Sequence, residues 1–350
     1  MPGNSFGKLF TVTTFGESHG NGVGVIIDGC PPRISLTSED FVRDMARRRP
    51  GESSASSPRK EADQVEILSG VFGDMTTGAP VTLFIRNQDA DSRPYEILSQ
   101  LFRPGHGDYS YFKKYSHFDH RGGGRYSARE TAARVAAGVV ARKILNPLGV
   151  KVVAYTLELG GVKAKEMDLA FIGKSPFFCP DLLASKRMEE VIFHARKEGN
   201  SLGGIVEIVV KGCPPGLGEP VFDKLDADLA KAVMSVGTVK GIEIGAGFEA
   251  ARLRGSENND PITPEGFRSN HAGGILGGIS NGDEIVLRAA IKPIPSISQE
   301  QDTVDRQGQP SKLKFTGRHD IASIPRIVPV VEAMVEIVLA DHYLRHRAIS

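Results

Sequence analysis

The sequence predicts one large α/β unit, and three observations lead there. Segments rich in β-branched residues and segments with helical three-to-four spacing follow one another along the chain, which excludes an all-α or an all-β architecture. No Pro-rich or charged linker and no internal repeat divides the 350 residues, so one unit is preferred to two separable domains. A composition of 40% hydrophobic and 24% charged residues supports a packed core and excludes disorder as an overall description.

The elements follow in order. Strands are predicted at residues 9–14 and 23–27, on either side of a Gly-rich turn. A helix is predicted at 37–49, opened by the capping-box pattern Thr37-Ser38-Glu39-Asp40 and ended by Pro50-Gly51. Residues 52–58 are small and polar and read as an exposed, mobile loop closed by Arg59 and Lys60. Strands at 65–72 and 81–86 precede a long irregular region reaching Ser127, of the kind that usually carries function. There a helix begins, with Ser127 as N-cap, Glu130 completing a capping box, and Ala132, Val135, Ala136, Val139, Val140 and Ile144 on one face. Further strands are predicted at 150–157, 205–210 and 284–290, and further helices at 180–197 and 222–236. Between Pro325 and His342 a final helix puts Val328, Val331, Val335, Val338 and Leu339 on a single apolar stripe.

Several function classes fall away. Glu332 and Glu336 interrupt the longest apolar stretch, so no membrane span is expected. The N-terminus has neither a basic nor an apolar signal region, which points to the cytoplasm. Cys30, Cys179 and Cys213 are too far apart for a disulfide framework or a zinc site, and no His pair has metal-ligand spacing, so no metal is expected. The formal charge is +1, yet residues 43–60 and 103–129 together hold +8. Positive charge packed into two short stretches, the second Gly-rich and His-bearing, favours a small anionic ligand over nucleic acid.

Four segments carry glycine, histidine and charge beyond what packing requires: residues 16–20 (Gly-Glu-Ser-His-Gly), 103–108 (Arg-Pro-Gly-His-Gly-Asp), 121–130, and 317–320 (Gly-Arg-His-Asp). In the third, Gly122-Gly123-Gly124 leads into a helix, so backbone N–H groups and the helix dipole meet Arg121, Arg125 and Arg129, an arrangement suited either to phosphate or to a solvated turn. His19 and His106 lie in Gly-flanked loops where proton transfer is the natural chemistry, a hydrogen-bonded loop histidine being the alternative. His117 and His120 are candidates for supporting positions.

With residues 13–20, 47–51, 63–71, 103–106, 122–130, 269–278 and 317–320 in this order, the chain resembles the chorismate synthase family over almost its whole length. The resemblance implies helices enclosed between antiparallel sheets, a single domain, and a homotetramer. It implies anti-1,4-elimination of phosphate and a proton from 5-enolpyruvylshikimate-3-phosphate to give chorismate, with reduced FMN as cofactor, no net redox change, and NADPH as a candidate reductant. It assigns His19 to protonating the leaving phosphate, His106 to protonating reduced flavin, and Asp320 to a place beside flavin N5. Arg125, Tyr126, Ser127, Gly237, Thr238, Gly277, Lys292, Pro293, Ile294, Pro295, Ser296 and Arg318 match FMN-contacting stretches, and Arg48 matches an arginine that binds substrate or NADP. The chain departs from the family at Tyr126, where serine is usual, at Ser54, where close relatives carry arginine, and at Ile321, where proline is commoner. Two other readings fit the charge pattern: a nucleic-acid-binding protein using Arg47–Arg49 and 121–129, and a flavoenzyme that transfers hydride to its substrate.

Overall fold

The computed structural model describes residues 3–49, 54–55, 61–89, 91–315 and 319–349. Among the described residues ten strands form two five-stranded antiparallel sheets. In the first, β1 (Ser5–Phe6), β2 (Thr11–Gly16), β3 (Gly22–Asp28), β5 (Val81–Arg86) and β4 (Val65–Ser69) lie side by side in that order. The second has the order β9 (Val239–Ile244), β10 (Ile285–Ile291), β8 (Gly204–Lys211), β6 (Lys151–Leu159), β7 (Val162–Lys163). Between the sheets lie α1 (Glu39–Arg48), α3 (Thr131–Leu145), α5 (Leu225–Met234) and α6 (Ile324–Ile349), with α3 packed on β3 and β5 and α6 on β6 and β8. The helices are thus enclosed by antiparallel sheets, as the resemblance implies. Helices α2 (Asp108–Tyr115) and α4 (Leu182–Lys197) lie outside this layer, as does a four-residue helical turn at Gly255–Asn258; α4 is capped by Asp181, which accepts from the N–H groups of Leu183 and Ala184.

The two halves repeat one layout, which corrects the expectation of no internal repeat. Strand–strand–helix–strand–strand–helix runs β2-β3-α1-β4-β5-α3 in the first half and β6-β8-α5-β9-β10-α6 in the second. After β3 and after β8 the chain reads Gly-Cys-Pro-Pro, with Gly29 at φ 77° and Gly212 at φ 71°. Thr76 Oγ1 donates to the Pro31 carbonyl at 2.7 Å and accepts from Ile34 N–H, and Ser280 Oγ makes the matching bonds to Pro214 and Leu217. The hairpins that carry Thr76 and Ser280 share their backbone too: Gly70, Gly73, Asp74 and Gly78 have positive φ, as do Gly274, Gly277, Gly278 and Gly282. Few residues beyond the turns are identical, Val23 with Val206 and Leu83 with Leu287 among them, and β7 and α4 are inserted between β6 and β8, so no fixed period survives in the sequence.

Most elements lie where the patterns place them. The strand expected at 65–72 breaks at Gly70, and the irregular region before Ser127 contains α2. Neither capping box closes. The Asp40 carboxylate accepts from Thr37 N–H and from its hydroxyl, which therefore caps nothing, and Glu130 turns to Thr14 and Arg134 while Ser127 Oγ accepts from Arg129 N–H. Nor is α6 apolar on one stripe only. It is buried on all sides between α3 and the second sheet, which draws Glu332 and Glu336 into the core. Their charge is met there: Arg47 donates to both Glu332 oxygens, Arg142 to both Glu336 oxygens, and Asp44 accepts from both arginines. Where α3 crosses α6, Gly138 lies against Ala333 with no room for a side chain. At the other end of α6, Asp341 Oδ1 accepts from three successive N–H groups, Lys8, Leu9 and Phe10, tying the chain start to its last helix. Among the described residues no helix is long and apolar enough to cross a membrane.

Of the serine-rich segment only residues 54–55 are described. Ala55 is fully buried and its carbonyl accepts from Ile321 N–H at 2.7 Å, which corrects an exposed loop at that position. The rest of 52–58, with Arg59 and Lys60, lies outside the described residues.

Candidate active site

A cavity of about 970 Å³ opens between the two equivalent connections, the one from β5 to α3 and the one from β10 to α6. The first supplies Arg103, His106, Arg125 and Ser127, and the second supplies Lys292, Ser296, His319 and Asp320. His19 enters from the turn between β2 and β3, and Gly237 and Thr238 from the end of α5. The basic stretches therefore meet inside the molecule, where Arg48, Arg103 and Arg129 are buried.

On one wall Asp108 organises the groups around His106. Its carboxylate takes the Arg103 guanidinium at 2.8 Å through each oxygen, the Arg103 N–H at 2.9 Å, and the Tyr126 hydroxyl at 2.8 Å. Burial alone would raise Asp108, but the Arg103 hydrogen bonds and charge outweigh it and bring the carboxyl down to about 2. His106 Nδ1 accepts from Gly107 N–H at 2.9 Å and lies 3.3 Å from Arg103 Nη2. With donors facing Nδ1, the neutral ring carries its proton on Nε2. Burial, then the Arg103 charge, push His106 down to about 3. His319, tilted against Phe315 at 4.9 Å between ring centres, is lowered to about 4 by the same two causes in the same order.

On the facing side, Ser92 Oγ lies 2.7 Å from His19 Nδ1 and Tyr95 meets the His19 ring edge-on. The triple glycine is needed here. Gly122, at φ 57°, leaves its Cβ position to the His19 ring, and Gly124, at φ 49°, passes over the Asp119 carbonyl. Arg125 then turns back to the sheet, donating to the carbonyls of Gly16 and Thr14 and to Thr14 Oγ1. Deeper in, Arg326 Nη1 donates to Asp320 at 2.6 Å and its Nε to the Arg48 carbonyl. Asp63 joins the Arg48 and Arg129 guanidinium groups; burial would raise its carboxyl, but the two arginines hold it below the usual range.

Four buried polar atoms on the cavity wall have no hydrogen-bond partner among the described residues: Ser18 Oγ, Thr238 Oγ1, His319 Nε2 and Ser323 Oγ. An unpaired buried polar atom costs about 1–3 kcal/mol, so a wall carrying four is built for a polar occupant.

Of the residues expected at a site, His19, His106, Asp320, Arg125, Tyr126, Ser127, Gly237, Thr238, Lys292, Ile294, Pro295, Ser296 and Arg48 all line this cavity. Arg48 is 1% exposed with its guanidinium on Asp63, so it contributes charge from behind the wall. Two residues are not on the wall. Gly277 is the hairpin corner equivalent to Gly73, next to Gly278, whose carbonyl accepts from Leu225 N–H, and Pro293 packs its ring toward Gly203. Arg318 lies outside the described residues, and His117 and His120 do not reach the cavity. Sequence reasoning missed Ser18, Ser323, Arg326 and, on α5, Lys231. Ser18 stands beside His19 within a motif already marked; the others sit in helical patterns with no local signal.

The family model for chorismate synthase matches residues 10–344. A chorismate synthase of Syntrophus aciditrophicus (strain SB) is 57% identical over 353 residues, covering 100% of both chains. One from Syntrophobacter fumaroxidans (strain DSM 10017 / MPOB) is 59% identical over 344 residues, 98% of each chain. A crystal structure of chorismate synthase superposes with a TM-score of 0.77 at 32% identity, over 97% of this chain and 93% of that one. Similarity that runs from end to end in sequence and in fold has one meaning here: the chain belongs to the chorismate synthase family.

Proposed function

We propose that this cavity carries out the family reaction, the anti-1,4-elimination of phosphate and a ring proton from 5-enolpyruvylshikimate-3-phosphate to give chorismate, a carbon–oxygen lyase step. The observation that carries the reading is the convergence of His19, His106 and Arg125 on one cationic cavity large enough for two ligands.

Reduced FMN fits the residues present: the unpaired Thr238 hydroxyl, Lys292, Arg125 and the Gly122–Gly124 backbone suit its phosphate and polar edge. When bound, it supplies electron density to the allylic system as the C–O bond breaks. The chain's own residues do the rest. His19, with Nδ1 at Ser92, delivers a proton through Nε2 to the departing phosphate. His106 holds a proton at Nε2 toward the cavity, and Asp320, fixed by Arg326, would be the carboxylate near the flavin when it is bound, as the resemblance implies. Arg48, Arg129 and Arg134 hold the substrate's anionic groups by charge, and the enclosing loops exclude water.

Two finer points belong to the same reading. As one domain, the chain assembles into a cytoplasmic homotetramer, for which the exposed Phe72, Phe222, Phe248 and Ile262 provide apolar contact surface. Its flavin arrives reduced from elsewhere, with NADPH as the alternative reductant. The test is an anaerobic assay with 5-enolpyruvylshikimate-3-phosphate and reduced FMN, with and without NADPH. Chorismate formed with reduced FMN alone supports the reading, and none under any condition overturns it.

A further inference from the structure

We propose that Tyr126 is a positioning residue for His106, acting through Oδ1 of the Asp108 carboxylate, the oxygen that both side chains approach. The proposal rests on the reading of this cavity as the active site.

The geometry is specific to tyrosine. Tyr126 Oη donates to Asp108 Oδ1 at 2.8 Å, and the same oxygen lies 3.5 Å from His106 Nδ1. Oδ1 already accepts from Arg103 Nη2, and Oδ2 accepts from Arg103 Nε and N–H. The tyrosine therefore takes the last acceptor direction of a carboxylate that faces the histidine. With that direction closed, an Nδ1–H on His106 has no acceptor, and the ring is held in the form protonated at Nε2. The ring of Tyr126 adds a wall: it meets His106 edge-on at 5.3 Å and packs on Tyr111 at 4.3 Å. Burial, then the Asp108 charge, raise the tyrosine well above its ordinary range, so its hydroxyl remains a donor at all working pH values. A serine at this position ends near Cβ and cannot reach Asp108.

The other charges facing His106 are Arg103, Lys292 and His319, all of which oppose its protonation. Among the described residues Asp108 is the anion that favours protonation of His106, so whatever occupies Oδ1 sets how far it can favour imidazolium. Tyr126→Phe keeps the wall and removes the donor; Tyr126→Ala removes both.

The test follows the ¹⁵N shifts of the His106 imidazole from pH 7 to 2.5, a range that spans its depressed midpoint of about 3, in the full chain without substrate, the signals being assigned by their loss in His106→Asn. In Tyr126→Phe the His106 midpoint is expected to rise by about one pH unit, a tenfold gain in proton affinity. The limb of the kcat–pH profile that reports His106 moves the same way, while KM for the substrate stays within about twofold. A Tyr126→Phe imidazole titration identical to wild type, with only Tyr126→Ala altered, would reduce Tyr126 to packing and overturn the proposal. The imidazole titration is read without turnover, so it fails or succeeds separately from the assigned reaction.

Discussion

The ring of His19 occupies the volume that a side chain on Gly122 would require, with Ser18 Oγ 2.8 Å from the same point. The first glycine of the triple-glycine loop is therefore part of how the proton carrier is held. Gly122→Ala must displace the ring and also adopt φ 57°, which costs about 1–2 kcal/mol for an L-residue. Turnover is expected to fall about 100-fold, as for loss of an acid–base group, with the far-UV spectrum unchanged. Steady-state rates within twofold of wild type would show that His19 needs no such seat.

His19→Ala and His106→Ala are each expected to lower turnover by roughly 100-fold or more with little effect on folding. Single-turnover kinetics under anaerobic conditions measure this directly. Near-normal rates in both would remove the acid–base assignment.

Among the described residues Arg125 donates only to carbonyl, amide and hydroxyl oxygens and makes no ion pair, although Glu17 lies close enough to feel its charge. Losing a charged hydrogen-bond donor to a phosphate costs about 1.5–3 kcal/mol. Arg125→Ala should then weaken FMN binding about 10- to 100-fold in a flavin fluorescence titration. An unchanged titration would place the flavin phosphate elsewhere.

His106 and His319 are depressed in the folded chain, to about 3 and about 4, by burial first and the Arg103 charge second. The unfolded chain binds their protons at a higher pH, near the ordinary histidine value of about 6.5. Their contribution to stability is thus complete above about 6.5 and is lost as the pH falls toward 4 and then 3. Thermal melts between pH 7.5 and 4.5 should show a falling Tm whose slope is shallower in His319→Asn. Equal slopes would mean that the ring is not held neutral by its surroundings.

At the crossing of α3 and α6, Gly138→Ala would place a methyl group against Ala333. Overpacking of this kind costs about 1–3 kcal/mol. A urea midpoint that drops with an unchanged m-value is the expected result.

The sequence disclosed the strands of both sheets wherever β-branched residues run together, as in β3 and β8. It did not disclose β9, whose Val-Lys-Gly-Ile-Glu-Ile run is short and interrupted by Gly241. Helix α6 reads as one-sided from the stripe of Val328, Val331, Val335, Val338 and Leu339, whereas Ala333 and Met334 are buried against α3 as well. The histidines and Arg125 were legible because glycine and charge without packing value are conspicuous. Ser323 and Arg326 were not, because they occupy a helix start that reads as ordinary capping. The repeated layout escaped notice because it is carried by backbone turns, such as those at Gly73 and Gly277, and hardly by shared side chains.

That repeated layout makes the chain divisible in principle. Cut at Gly149, where α3 has ended and β6 has yet to begin, it would yield two pieces of matching architecture, each a sheet with two helices bare on one side. Neither piece would hold a whole pocket, since His106 would leave with one and Asp320 with the other. Each would bury its exposed helices only by finding its counterpart, so folding and the assembly of the catalytic centre become one and the same event.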